Sequence, residues 1–319
     1  METIYFSPDI VALNQPDSMF FSFNPKSSLL LVFGLHALVF SLLLLAQAIQ
    51  REHRPSFWSS AFTLLSGLYI APFMFGYAGW YSQQPYRDLL FYIPFQQLFF
   101  LPPVLYFYVK TLLTPAYILT RKDRLHFLPG LGYLFYSLAV FITDKWLLHT
   151  DYFYADGQDK DFSPWYQGAG FISLFIYSLL SLYVYFRYIA ISYQTVSFAD
   201  AILFPWIKRF LIVLLLLLLL RGLFFLVNPE WDQFGRKFWY YLCFSILFYY
   251  ISLSGYSNAL QSILSLKAAL VLKQDDDQIP HQPPSRAVVI DELDGIDLDR
   301  WKGELEEIMT GEKRIKTRP

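Results

Sequence analysis

Charge is scarce in this chain. Asp, Glu, Lys and Arg make up 16% of its 319 residues, against about a quarter in an ordinary soluble domain. Cysteine is scarcer still: the single Cys243 excludes an intrachain disulfide and any cysteine-based metal site. The five histidines, His36, His53, His126, His149 and His281, show no metal-ligand spacing, with no HExxH and no pair one helical turn apart. There is no glycine-rich phosphate loop and no GxSxG. No Asp or Glu pair falls inside an apolar stretch to mark a proton relay or a hydrolytic site. No enzyme activity, cofactor site or metal site is therefore expected. A net charge of −1 removes any case for bulk attraction to nucleic acid or anionic lipid. Residues 1–26 lack a basic start and a small-residue cleavage site, so the first apolar stretch does not read as a cleaved signal peptide.

What the chain has instead is apolar length. It is 55% hydrophobic and 20% aromatic, with a mean hydropathy of +0.35. A bilayer core of ~30 Å needs about 20 mainly apolar residues in a helix, and seven such stretches occur: 27–50, 57–80, 89–111, 125–143, 165–190, 205–227 and 236–256. The expected fold is an all-α membrane protein with seven transmembrane helices. Pro72, Pro94, Pro102, Pro103 and Pro129 predict bends, above all in the third stretch. Eleven basic residues fall in the loops after stretches one, three and five and in the start of the tail, including Arg51, Arg54, Lys110, Arg121, Lys122 and Arg124. The opposite side carries six, including Arg87, Lys145 and Lys160. This bias places the N-terminus outside and the C-terminus in the cytoplasm, which an odd number of spans requires.

Few residues stand out as readers of a ligand. His36 lies mid-span in the first stretch, where bonding to a neighbouring helix for packing is the commoner role. Arg221 follows seven leucines, Leu214 to Leu220, inside the sixth stretch. It precedes Val227 by ~9 Å of helix, so a snorkelling side chain is the preferred reading and an anion-sensing one the sharper alternative. The segment from Asp144 to Trp165 mixes five aspartates with aromatics. It reads either as a strap over the bundle that helps to form a ligand pocket or, as base rates favour, as an interfacial aromatic loop.

Three short motifs carry a resemblance: "LPPVLYFYVKTLLTP" (Leu101 to Pro115), "RLHFLPG" (Arg124 to Gly130) and "LSGYSNALQSIL" (Leu253 to Leu264). Over residues 27–310 the chain resembles the multi-span sensor module of membrane-anchored bacterial AraC-type transcriptional regulators. The matching positions are Pro103, Leu105, Tyr106, Tyr108, Val109 and Lys110, then His126, Phe127 and Pro129, then Gly255 and Tyr256. The resemblance implies a sensor in the bacterial cytoplasmic (inner) membrane whose cytoplasmic C-terminal domain binds DNA through two helix-turn-helix units. Its partners would be the lipid bilayer, a small-molecule or envelope signal, and a second copy of the chain or a full-length paralogue.

The tail is read in the same terms. Residues 1–26 form an external N-terminal segment, 27–256 the transmembrane module and 257–273 a cytoplasmic helical extension. Residues 274–296 form an acidic, proline-rich linker. Within 297–319, Leu298, Trp301, Leu305, Ile308 and Met309 make an apolar stripe that needs something to bury against. By the resemblance this is the first helix of an AraC-type domain, truncated after Glu312-Lys313, so that DNA is a partner only if the missing domain were present. One choice of codons for a family-like Lys-Ala-Tyr-Lys-Asp-Pro run, read one base later, translates as residues 313–318, so a shifted frame near Lys313 is the expected origin. Two other functions compete. A small-molecule transporter or channel predicts internal repeats and polar midplane residues, and neither is evident. The input half of a sensor histidine kinase predicts a phosphoacceptor helix, which the tail does not resemble.

Overall fold

The computed structural model describes residues 23–114, 117–195, 203–227 and 237–278, the last beyond Gln261 as backbone only. Contacts divide the chain into two units, residues 1–260 and 261–319. The first holds an apolar helical bundle, and of the second only helical backbone to Gln278 is described. No strand occurs among the described residues. The expected external segment before Phe23, most of the linker and the whole of 297–319 lie outside them.

In chain order the helices are α1 (Pro25–Arg51), α2 (Arg54–Tyr77), α3 (Tyr86–Tyr92) and α4 (Leu101–Leu113), followed by α5 (Arg121–Leu148), α6 (Pro164–Thr195), α7 (Pro205–Val227) and α8 (Phe238–Gln278). Six of them, all but α3 and α4, are long and apolar enough to cross a membrane. Local chemistry sets their ends. Asn24 caps α1 by accepting from the amides of Lys26 and Ser27, Pro25 fills the first turn, and Arg51 stands in the last. The helical backbone of α8 runs past Tyr256 to Gln278, through the expected extension and into the first residues of the expected linker.

The third expected span departs from a single helix. It is broken into α3, an irregular stretch at 93–100 and α4. Alone, the 13 residues of α4 cover only ~20 Å at 1.5 Å per residue. Pro94 lacks an amide proton and disfavours helix at Ile93, while Pro102 and Pro103 occupy the first turn of α4, where no donor is needed. Elsewhere the prolines are absorbed: Pro72 lies inside α2, and Pro129 follows a 3₁₀ turn, Leu125–Phe127, within α5.

The core gathers on α2. The hairpin of α1 and α2 closes at Gly67, where a Cβ would stand 2.6 Å from the Ala37 methyl, and Ser60 donates to the Ser41 carbonyl at 2.7 Å. Such small-residue contacts let helix backbones approach closely when lipid supplies no hydrophobic drive for association. Further in, Phe62, Tyr69, Ile70 and Phe73 of α2 pack with α4, α7 and α8. The leucine run divides by helical phase: Leu214 and Leu218 are fully buried, while Leu216, Leu219 and Leu220 are exposed on the outer face. With Val32 and Leu42 of α1 and Phe135 of α5, they form an apolar outer surface of the kind that faces lipid.

Candidate functional site

The break at 93–100 leaves backbone groups without helical partners, which is tolerated at membrane depth only where protein supplies them. The suppliers come from the segment between α5 and α6 and from the start of α6. Asp161 Oδ2 accepts from the Gln96 amide at 2.9 Å. The Tyr166 hydroxyl accepts from the Leu98 amide at 3.1 Å and donates to the Gln96 carbonyl. The Gln96 side chain donates to the Tyr69 carbonyl of α2 at 3.1 Å, and Gln167 donates to both Gln96 Oε1 and the Asp161 carbonyl. One polar cluster thus ties α2, the break, α6 and the inter-helix segment together.

That segment is a strap, residues 149–163, packed down at two points. At the first, Asp144 is fully buried and accepts from the Tyr92 hydroxyl at 2.8 Å and the Phe153 amide at 3.2 Å. Tyr92 also reaches Asp151 at 3.0 Å, and Lys145 forms ion pairs of 2.8 Å with Asp88 and with Asp151. The Lys145 ammonium holds the Asp151 carboxyl below its usual range. At the second, Asp159 and Asp161 are 8% and 3% exposed. Asp159 accepts from the Tyr81 hydroxyl and from the Asp161 amide, both at 2.9 Å, and Asp161 accepts from the Tyr133 hydroxyl at 2.5 Å. Among the described residues no cation lies within ion-pair distance of either, since Lys160 pairs with Asp156 at 3.4 Å. Burial pushes both carboxyl groups up, Asp161 to about 6. Burial also raises Tyr81 and Tyr154.

Beside this cluster, Arg221 Nη1 donates to the Tyr69 hydroxyl at 3.0 Å, and its guanidinium stacks over the Tyr240 ring at 4.3 Å. The side chain turns into the bundle in place of the outward path expected of it. With Gln167, Leu98, Pro102 and Phe171 it lines a crevice with room for roughly one water molecule. His36 contacts the neighbouring helix α8: its Nε2 shares a 2.7 Å hydrogen bond with Ser252, and its ring stacks on Phe40 at 4.2 Å. Among the described residues no three His, Cys, Asp or Glu side chains come together to hold a metal.

The motif residues assemble at the other end of α5. Lys110 lies 3.7 Å from Asp123 and 4.0 Å from the Tyr117 ring, and Tyr117 donates to Asp123. His126 shares a 2.5 Å hydrogen bond with Tyr177 and lies beside the Tyr106 ring at 6.4 Å. Phe127 stacks with Trp58 at 5.9 Å and with Phe107 at 5.6 Å. Pro103 belongs to the first turn of α4 and Pro129 to that of the α-helical part of α5. Gly255 faces Tyr108, whose hydroxyl would be 2.6 Å from a Cβ there, and Tyr256 meets Phe40 edge-on at 5.8 Å.

Sequence reasoning singled out Arg221 and the segment 144–165, favouring an outward side chain for the one and an interfacial loop for the other, and missed Asp159 and Asp161. Their only signal is the Asp-x-Asp beside Phe162, which reads like any solvated turn until Tyr133 and Gln96 are brought against it. Compared with known protein families, curated proteins and solved structures, the chain matches none.

Proposed function

We propose that this chain is the membrane-embedded sensory module of an AraC-type transcriptional regulator. In this reading seven segments cross the bacterial inner membrane, the strap faces outside, and the C-terminal tail lies in the cytoplasm. It performs no catalysis, and its partners are the bilayer, an envelope or small-molecule signal, and a second copy of the chain. The observation that carries the reading is the meeting of three distant motifs. Lys110, His126 and Phe127 gather where α4 meets α5, and Gly255 of α8 packs on Tyr108 of the same α4. Their contact is the support for reading them as parts of one architecture.

The span count rests on the broken third segment. Gln96 adjoins Tyr69 and the strap, whereas Lys110 adjoins Asp123, and Arg54 at the start of α2 donates to the Tyr117 carbonyl. Counting that passage as a crossing brings six helices to seven, and the bias of basic residues then sets the orientation. Two experiments test the reading. With Cys243 replaced by serine, cysteines placed singly at Gln158 and Lys122 should react with an impermeant reagent only from outside and only from the cytoplasm, respectively; the reverse pattern overturns the orientation. A chimera with a dimer-dependent DNA-binding reporter fused after Gln278 should change its transcriptional output with envelope conditions. Constant output across pH, osmolarity and membrane stress overturns the sensory role.

A further inference from the structure

We propose that Asp159 and Asp161 form a proton-operated latch that holds strap 149–163 against the broken third segment more tightly in mild acid than in alkali. The two attachment points of the strap differ in one respect. At the first, Lys145 pairs with Asp88 and Asp151, and Asp144 is a single buried carboxyl held by the Tyr92 hydroxyl and the Phe153 amide. At the second, two carboxyl groups are buried together with hydrogen-bond donors and, among the described residues, no cation at ion-pair distance. A buried carboxylate pair without a counter-charge relieves its cost by taking up a proton, and opening the strap to water relieves it by another route.

Within hydrogen-bond reach the surroundings contribute hydroxyls and amides rather than charge. Tyr81 precedes α3, Gln96 stands in the break, Tyr133 belongs to α5 and Tyr166 to α6. On the strap itself Tyr154 lies near both carboxyls, Lys160 acts on Asp159 only beyond ion-pair range, and Arg87 approaches Gly157. The exposed His149 begins the strap and Asp144 holds its other attachment point; neither lies among these groups, so the Asp159 and Asp161 variants isolate the latch.

The sign follows from linkage. A carboxyl that binds its proton more tightly when the strap is closed favours the closed state as pH falls through its raised value. With the Asp161 carboxyl near 6 when closed and near its ordinary value when open, opening is about tenfold more frequent at pH 8 than at pH 5. The proton binding itself stands apart from the proposed function; only its use as a signal rests on the sensory reading.

Hydrogen–deuterium exchange on the detergent-purified chain tests this, with rates corrected for the intrinsic pH dependence of amide exchange. Peptides covering 149–163 and 93–100 should exchange about tenfold faster at pH 8 than at pH 5; Asp161→Asn should reduce this dependence and Asp159→Asn/Asp161→Asn should flatten it. Tyr133→Phe, which removes a donor that favours the ionised form, should move the midpoint upward. Infrared difference spectra between the same pH values should show a carboxylic C=O band that the Asp159→Asn/Asp161→Asn double variant lacks. A flat wild-type profile, or a pH dependence unchanged in Asp161→Asn and Tyr133→Phe, overturns the latch whatever the reporter chimera does. A titrating latch with a chimera that ignores every envelope condition upholds the latch and overturns the sensory role.

Discussion

Replacing Gly255 by alanine places a methyl group where α8 meets α4. A Cβ there would lie 2.6 Å from the Tyr108 hydroxyl and 3.0 Å from Ser59 Oγ, where a close C···O approach is ~3.3 Å or more. About 0.7 Å must be opened against a tyrosine that is 1% exposed and packed into the core, and overpacking of this kind costs about 1–3 kcal/mol. Tyr108→Phe takes away the colliding atom. That hydroxyl is buried without a well-formed hydrogen bond, so its loss is close to neutral, and the next ring atom is 3.7 Å from the added methyl. In the double variant Gly255→Ala/Tyr108→Phe only the Ser59 contact remains tight, and most of the lost stability should return. Reversible unfolding in mixed micelles measures all four proteins, and a coupling of about 1–2 kcal/mol is expected. Additive single effects, or an alanine variant as stable as the parent, would refute the contact.

Three further outcomes are expected. Lys145→Met removes the cation between Asp88 and Asp151. Because all three side chains are partly exposed, the loss should be only about 1 kcal/mol, and added salt should narrow the gap from the parent in thermal melts. The same ion pair holds Asp151 below its usual range, so its contribution is complete at neutral pH and disappears as pH falls below about 4; Lys145→Met should lack that acid limb. Tyr69→Phe removes the hydroxyl that accepts from Arg221 and donates to Tyr240 at 3.4 Å. Losing a hydrogen bond to a charged group should cost about 1.5–3 kcal/mol in the same unfolding assay, and a neutral result would mean that Tyr69 does not hold the guanidinium.

The long helices were legible because their signal is local. The Asn24-Pro25 start of α1, its end at Arg51 and the leucine run of α7 announce themselves within a few residues, and the observed helices begin or end close to the expected limits. For the third apolar stretch the prolines announced a disturbance but not its form. Whether the chain bends there or breaks depends on who satisfies the freed amides. Those partners, Asp161 and Tyr166, stand 65 and 68 residues further along the chain.

The functional features divide along the same line. The count of apolar stretches, the scarcity of charge and the placement of basic residues are properties of composition and order, readable before any fold is known. Four things belong to the tertiary structure: the inward turn of Arg221 onto Tyr240, the split of the leucine run into buried and outward-facing members, the burial of Asp159 and Asp161, and the seating of Gly255 on Tyr108. Each depends on which distant side chain arrives at that place. A uniformly apolar helix has no preferred face, and an Asp-x-Asp has no preferred solvent, until another helix supplies one.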